Sequence, residues 1–147
     1  MLTQICESDR LIGDPVYRRM LCIDDNIDVA DSTVELLQTV GYDAVACYNG
    51  ASALAEASSF HPGVCLIDLN MPGMDGDVLA VRLRKLYGET PIVLVAMTAM
   101  SNEESCRRIR EAGFDLHLIK PVEPMQLLSA IDRMWRLWDR ACLTIPD

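Results

Sequence analysis

Five polar residues have the types and places to do chemistry together: the acid pair Asp24-Asp25, then Asp68, Thr98 and Lys120. Each closes a short apolar run, respectively RMLCI, VCLI, IVLVAM and LHLI, so each stands where a buried strand ends. Brought to one sheet edge, they form a cleft of three carboxylates, a hydroxyl and an ammonium. Three acids a few ångströms apart repel one another unless cations compensate. Lys120 supplies one charge, and a divalent metal would supply the rest. Oxygen donors without Cys or His favour a hard cation, and Mg²⁺, which takes few carboxylates and keeps several waters, fits better than Zn²⁺. A metal, an ammonium and a hydroxyl around one carboxylate suit a phosphoryl group, which the carboxylate attacks in line. Asp68 is the candidate nucleophile, because the loop NMPGMDG that follows leaves it exposed; Asp24 and Asp25 are placed to hold metal.

Taken singly, each residue has a plainer reading. One acid, or an acid pair, at a strand end is usually a solvated turn, and a strand-end Thr usually bonds backbone. The joint placement is what favours the phosphoryl site. No Ser-His-Asp set, Gly-rich phosphate loop or GxGxxG competes with it.

The elements that must position these residues follow from periodicity. Ile27 to Val40 carries Ala30, Val34, Leu37 and Val40 at helical steps, with Gly41 as a left-handed cap. Asp43 to Tyr48 reads as a second strand and Ala51 to Ser59 as an Ala-rich helix stopped by His61-Pro62-Gly63. Gly76 to Tyr87 is helical. Ser101 with Glu104 fits a capping box opening a helix over Asn102 to Ala112. Met125 to about Trp138 forms the last helix, with Trp135 and Trp138 in its packing seam. Five strands alternating with five helices specify an α/β fold, a parallel sheet covered on both faces. Such sheets bind ligands at the carboxyl ends of their strands.

With 147 residues, half of them hydrophobic, the chain suits one domain over 18–139, an N-terminal extension over 1–17 and a tail over 140–147. A net charge of −9 disfavours direct nucleic-acid binding. The first ten residues do not read as a signal peptide, and the longest uncharged run, Thr90 to Asn102, is too short to span a bilayer; no membrane partner and a cytoplasmic location are expected. Six cysteines lack metal-ligand spacing, so free thiols are expected, with Cys22, Cys47 and Cys65 as small core residues.

The acid pair, the DLNMPGMDG segment from Asp68 to Gly76, Thr98 followed by Ala99, and Lys120-Pro121 together resemble the receiver domain of two-component response regulators. The resemblance covers about Arg18 to Trp138. It implies a doubly wound, flavodoxin-like five-stranded sheet of order 2-1-3-4-5 and a cis Lys120-Pro121 bond. It also implies that Asp68 is phosphorylated by a sensor histidine kinase or histidine phosphotransfer protein. Asp24, Asp25, Asp68 and the backbone carbonyl of Asn70 would surround Mg²⁺, Lys120 would contact the phosphoryl group, and Thr98 would move to hydrogen-bond it. A downstream effector, or a second copy in a homodimer, would use the face of helix four, strand five and helix five. Two features depart from the family: His117 replaces the usual Tyr or Phe of the switch, expected here as a half-buried ring, and only nine residues follow Trp138.

Two rival functions share these residues. A Mg²⁺-dependent aspartyl phosphohydrolase wants a second acid two residues after the nucleophile, and that place is Asn70. A receiver-like scaffold that binds without phosphorylation has no need of all five site residues. A phosphoacceptor switch, with self-phosphorylation and self-dephosphorylation but no turnover of an external substrate, is the expected function.

Overall fold

A computed structural model of the chain describes residues 18–99 and 101–144. Five strands, β1 (Arg19–Ile23), β2 (Asp43–Cys47), β3 (Val64–Asp68), β4 (Val93–Thr98) and β5 (Leu116–Ile119), alternate with five helices. These are α1 (Ile27–Thr39), α2 (Gly50–Phe60), α3 (Gly76–Tyr87), α4 (Glu103–Ala112) and α5 (Pro124–Leu143). Every strand pairing is parallel and the sheet order is β2-β1-β3-β4-β5, as the resemblance implied. The Lys120-Pro121 bond is cis.

The two-residue period of the strands splits the core into two layers. Leu21, Ile23, Cys65, Ile67 and Leu94 pack with Ala53 and Ala57 of α2, Leu79 and Leu83 of α3, and Ala112 of α4. Met20, Cys22, Val64, Leu66, Val93 and Val95 pack on the other face with Leu37 of α1 and Leu127, Ile131, Met134 and Trp135 of α5. Central strands β3 and β4 are buried throughout, which is why their sequences are continuous apolar runs. Cys22, Cys47 and Cys65 are free and buried; burial raises all three thiols above their usual range, so they pack as small hydrophobes and are poor nucleophiles. Cys6 lies outside the described residues, as does the expected N-terminal extension.

Three helices open on asparagine caps: the side chains of Asn26, Asn49 and Asn102 accept from the amides of Val29, Ser52 and Ser105 at 3.2, 2.8 and 2.9 Å. The third corrects the expected capping box, because Asn102 caps α4 in place of Ser101, a position later. Asn and Ser serve equally well as caps, so the local sequence did not distinguish them. A reciprocal contact of that kind opens α5, where the Gln126 side chain accepts from the Glu123 amide at 2.9 Å.

Helix α5 also runs past Trp138 through residues 140–143, which the sequence reading gave to the tail. Its last turns are tied to the sheet where Arg18 pairs with Asp139 at 3.3 Å, and within the helix the Trp135 and Trp138 rings meet edge to face at 5.4 Å.

The turn after β3 depends on Gly76. Its amide donates to the Leu69 carbonyl at 2.8 Å, pulling the start of α3 under the end of β3. A Cβ at this position would overlap the Asp68 carbonyl oxygen and come within 2.9 Å of Ile67 Cγ2 and Leu69 Cα. Gly73, three residues earlier, has φ +83° and open space around it. Gly76→Ala is therefore expected to destabilise the fold by about 1–3 kcal/mol through overpacking. Gly73→Ala should cost only about 1 kcal/mol of left-handed strain. Urea midpoints check this, and equal losses would mean that α3 does not press on β3.

Candidate functional site

The strand register brings the expected residues to one edge. Ile23 of β1 pairs with Ile67 of β3, so Asp24 follows beside Asp68. Asp68 pairs with Met97 of β4, which places Thr98 next along, and Thr98 pairs with Ile119 of β5, immediately before Lys120. Main-chain bonds then hold these ends: the Leu69 amide donates to the Met97 carbonyl at 2.9 Å and the Lys120 amide to the Thr98 carbonyl at 2.7 Å. Lys120, although it follows the edge strand, sets its Nζ 2.8 Å from Asp24 Oδ2 and 3.5 Å from Asp68 Oδ1.

Carboxylate oxygens of Asp24, Asp25 and Asp68 all lie within 4.8 Å of one another. At an effective dielectric near 20, charges about 5 Å apart repel by roughly 3 kcal/mol per pair. One ammonium leaves that repulsion incompletely offset. The effect is visible on Asp68, whose carboxyl is pushed up to about 7 by burial and then by the neighbouring Asp24 charge; Lys120 and the backbone amide of Asn70 pull the other way, and a hydrogen bond with Asp25 adds to the rise. Burial works against the Lys120 charge, yet the Asp24 and Asp68 carboxylates outweigh it and raise its pKa.

Oxygen donors alone, in a cluster this tight, suit Mg²⁺. Opposite ligands of an octahedral Mg²⁺ stand roughly 4.2 Å apart, so the three carboxylates need only a small contraction to share one ion.

Asp68 departs from expectation in one respect. Only 7% of the residue is exposed, because it is the last residue of the central strand and lies between the β1 and β4 ends instead of projecting into the loop. Asp24 is likewise buried, with Oδ1 accepting from the Asn26 amide at 3.0 Å, while Asp25 faces solvent. Thr98 is buried at the same edge. His117 is exposed where a half-buried ring was expected: β5 is the short edge strand, and its residues alternate between partly buried and exposed.

A polar network missed by sequence reading surrounds Asn70. Arg108 of α4 donates to the Asn70 side-chain oxygen at 2.9 Å, to the Leu69 carbonyl at 3.3 Å, and to both oxygens of Asp77 at 3.0 and 3.1 Å. The hydrogen bond from Arg108 holds the Asp77 carboxyl below its usual range. Asp75 Oδ1 closes the loop by accepting from the Met71 amide at 3.0 Å. The sequence reading did not single out Arg108 from the neighbouring Arg107 and Arg110.

A family model described as the response regulator receiver domain matches residues 20–132, a span that includes all five site residues. The chain belongs to this family. The receiver is 30% identical over 123 residues to the probable transcriptional regulator ycf27 of Porphyridium aerugineum, covering 84% of this chain and 50% of that protein. It is 32% identical over 116 residues to the sensor histidine kinase GacS of Pseudomonas protegens, covering 77% of this chain and 13% of the kinase. The chain thus spans about half the length of the first of these relatives and a small part of the second. A receiver domain protein (CheY-like) from Methanospirillum hungatei superposes with a TM-score of 0.77 at 26% identity, over 84% of this chain and 97% of that one. The expected family and fold are borne out, and no helix among the described residues is long and apolar enough to cross a membrane.

The raised Asp68 carboxyl makes the receiver's stability depend on pH. A group whose pKa rises on folding contributes fully below its ordinary value, 3.8, and loses that contribution as pH climbs through about 7. In chelator, wild type should therefore lose stability over this window. Asp68→Asn, which carries no charge there, should be more stable than wild type at about pH 8, by on the order of 2 kcal/mol, with the gap fading towards pH 4. Coincident denaturation curves at both pH values would show that Asp68 is not charged against its neighbours.

Proposed function

We propose that the chain is a phosphoacceptor switch with Asp68 as the acceptor. What carries this reading is the Lys120 ammonium within 3.5 Å of Asp68 beside two further carboxylates placed for a cation. An Asp68 oxygen attacks the phosphorus of a phosphohistidine. The P–O bond forms as the P–N bond breaks, and the departing imidazole takes a proton from water. Asp24, Asp25, Asp68 and the Asn70 backbone carbonyl hold Mg²⁺, which supplies neutralisation of the phosphoryl charge when bound. Lys120 exchanges part of its contact with Asp24 for the phosphoryl oxygens, and Thr98 hydrogen-bonds another.

The phosphoryl group adds nearly two negative charges at a buried sheet edge. Drawing Thr98 inward moves the loop into α4, and the face formed by α4, β5 and α5 is the surface that an effector or a second copy would read. The donor is a histidine kinase or a histidine phosphotransfer protein in the cytoplasm, and no external substrate is turned over. The phosphohydrolase reading is weakened because Asn70 is neutral and its side-chain oxygen is occupied by Arg108. His117, exposed on the edge strand, takes part as a surface residue of the output face and not as a buried switch ring.

Incubation with acetyl phosphate and Mg²⁺ should add one phosphoryl mass to the intact protein, and Asp68→Asn should add none. Equal labelling of the two would place the acceptor elsewhere.

A further inference from the structure

We propose that Arg108 is a positioning residue for the metal and phosphoryl site, acting from α4 through the Leu69–Asn70 peptide. The inference rests on the reading that the Asn70 carbonyl is a ligand of Mg²⁺.

The Leu69 carbonyl and the Asn70 amide belong to one planar peptide group, so fixing the oxygen fixes the direction of the N–H on its opposite side. Two donors fix that oxygen: the Gly76 amide at 2.8 Å and Arg108 Nη2 at 3.3 Å. The opposite N–H is one of the groups that hold the Asp68 carboxyl down, and donation to the oxygen polarises that amide.

Arg108 holds the next group as well. Its Nη1 binds the Asn70 side-chain oxygen at 2.9 Å, while the peptide that carries the Asn70 carbonyl is held on its other side by the Met71 amide, which donates to Asp75 Oδ1 at 3.0 Å. The guanidinium is itself locked by the paired contact with Asp77 and lies near Asp75 Oδ2 at 3.7 Å. With a side chain 20% exposed, this is more enclosed than the surface pairs of Arg107 on the same helix. Only a planar fork with several donors reaches Asn70, Leu69 and Asp77 together; a lysine ammonium at this position is a point charge that does not.

A plain strap between α3 and α4 would make the same Asp77 contact without any bearing on the site. Mg²⁺ titration by calorimetry on the full chain separates the two. Partners that orient metal ligands typically change affinity 10- to 100-fold when removed. Arg108→Ala is therefore expected to weaken Mg²⁺ binding roughly tenfold or more while retaining its circular dichroism spectrum. Arg108→Lys should recover little of the loss, and Arg108→Gln serves if the alanine variant does not fold. Asp77→Asn, which removes the lock and leaves the Asn70 and Leu69 acceptors, should give a smaller loss. If Arg108→Ala and Asp77→Asn lower the melting temperature equally while Mg²⁺ affinity stays at the wild-type value, Arg108 is a strap and the inference fails. Absence of Mg²⁺ binding by the wild type would overturn the reading of the site as well.

Discussion

One ammonium set against three carboxylates is the constraint on which this structure turns. Lys120 makes a charge-assisted hydrogen bond to Asp24 at 2.8 Å and a looser ion pair with Asp68 at 3.5 Å, yet it brings a single charge to a cluster whose oxygens lie within 4.8 Å of one another. Excess negative charge on two buried carboxylates and a third at the surface is costly unless something offsets it. The proposed Mg²⁺ would do so, and burial with the neighbouring Asp24 charge pushes the Asp68 carboxyl up to about 7. On the proposed reading, Mg²⁺ and Lys120 together would surround the enclosed Asp68 carboxylate with the positive charge that an incoming phosphoryl group requires.

The fold serves this edge. Parallel pairing in the order β2-β1-β3-β4-β5 puts β1 and β4 on either side of β3, so the acids of the first and third strands become neighbours although 44 positions separate Asp24 from Asp68 in sequence (68 − 24). The apolar layers on both faces hold the strands rigid, and the tight turn through Gly76 returns α3 directly beneath Asp68. Arg108 then ties α4 to that turn, so the helix following Thr98 and the loop following Asp68 share one guanidinium. On the proposed reading, a phosphoryl charge added at Asp68 would act on two connected segments at once.

Much of this was legible in the sequence, for physical reasons. Runs such as IVLVAM and VCLI announce buried parallel strands, and the polar residue ending each run announces the edge, so the five site residues and the alternation of elements could be read directly. What escaped was set by contacts between distant residues. Asp68 looked exposed because the residues after it are turn formers, whereas its burial comes from flanking strands. His117 looked half-buried because LHLI is apolar, whereas an edge strand leaves it in solvent. The extra turns of α5 lie beside Arg18, which pairs with Asp139, and Arg108 differs from Arg107 and Arg110 on the same helix in facing Asn70 and Asp77.

The most direct test of the central claim is a crystal structure of the chain with Mg²⁺ and beryllofluoride. The expected result is a beryllofluoride group joined through beryllium to an Asp68 oxygen, Mg²⁺ bound by Asp24, Asp25, Asp68 and the Asn70 carbonyl, and Lys120 turned from Asp24 towards a fluorine. An unmodified Asp68 with Lys120 still on Asp24, or Mg²⁺ bound elsewhere on the surface, would contradict it.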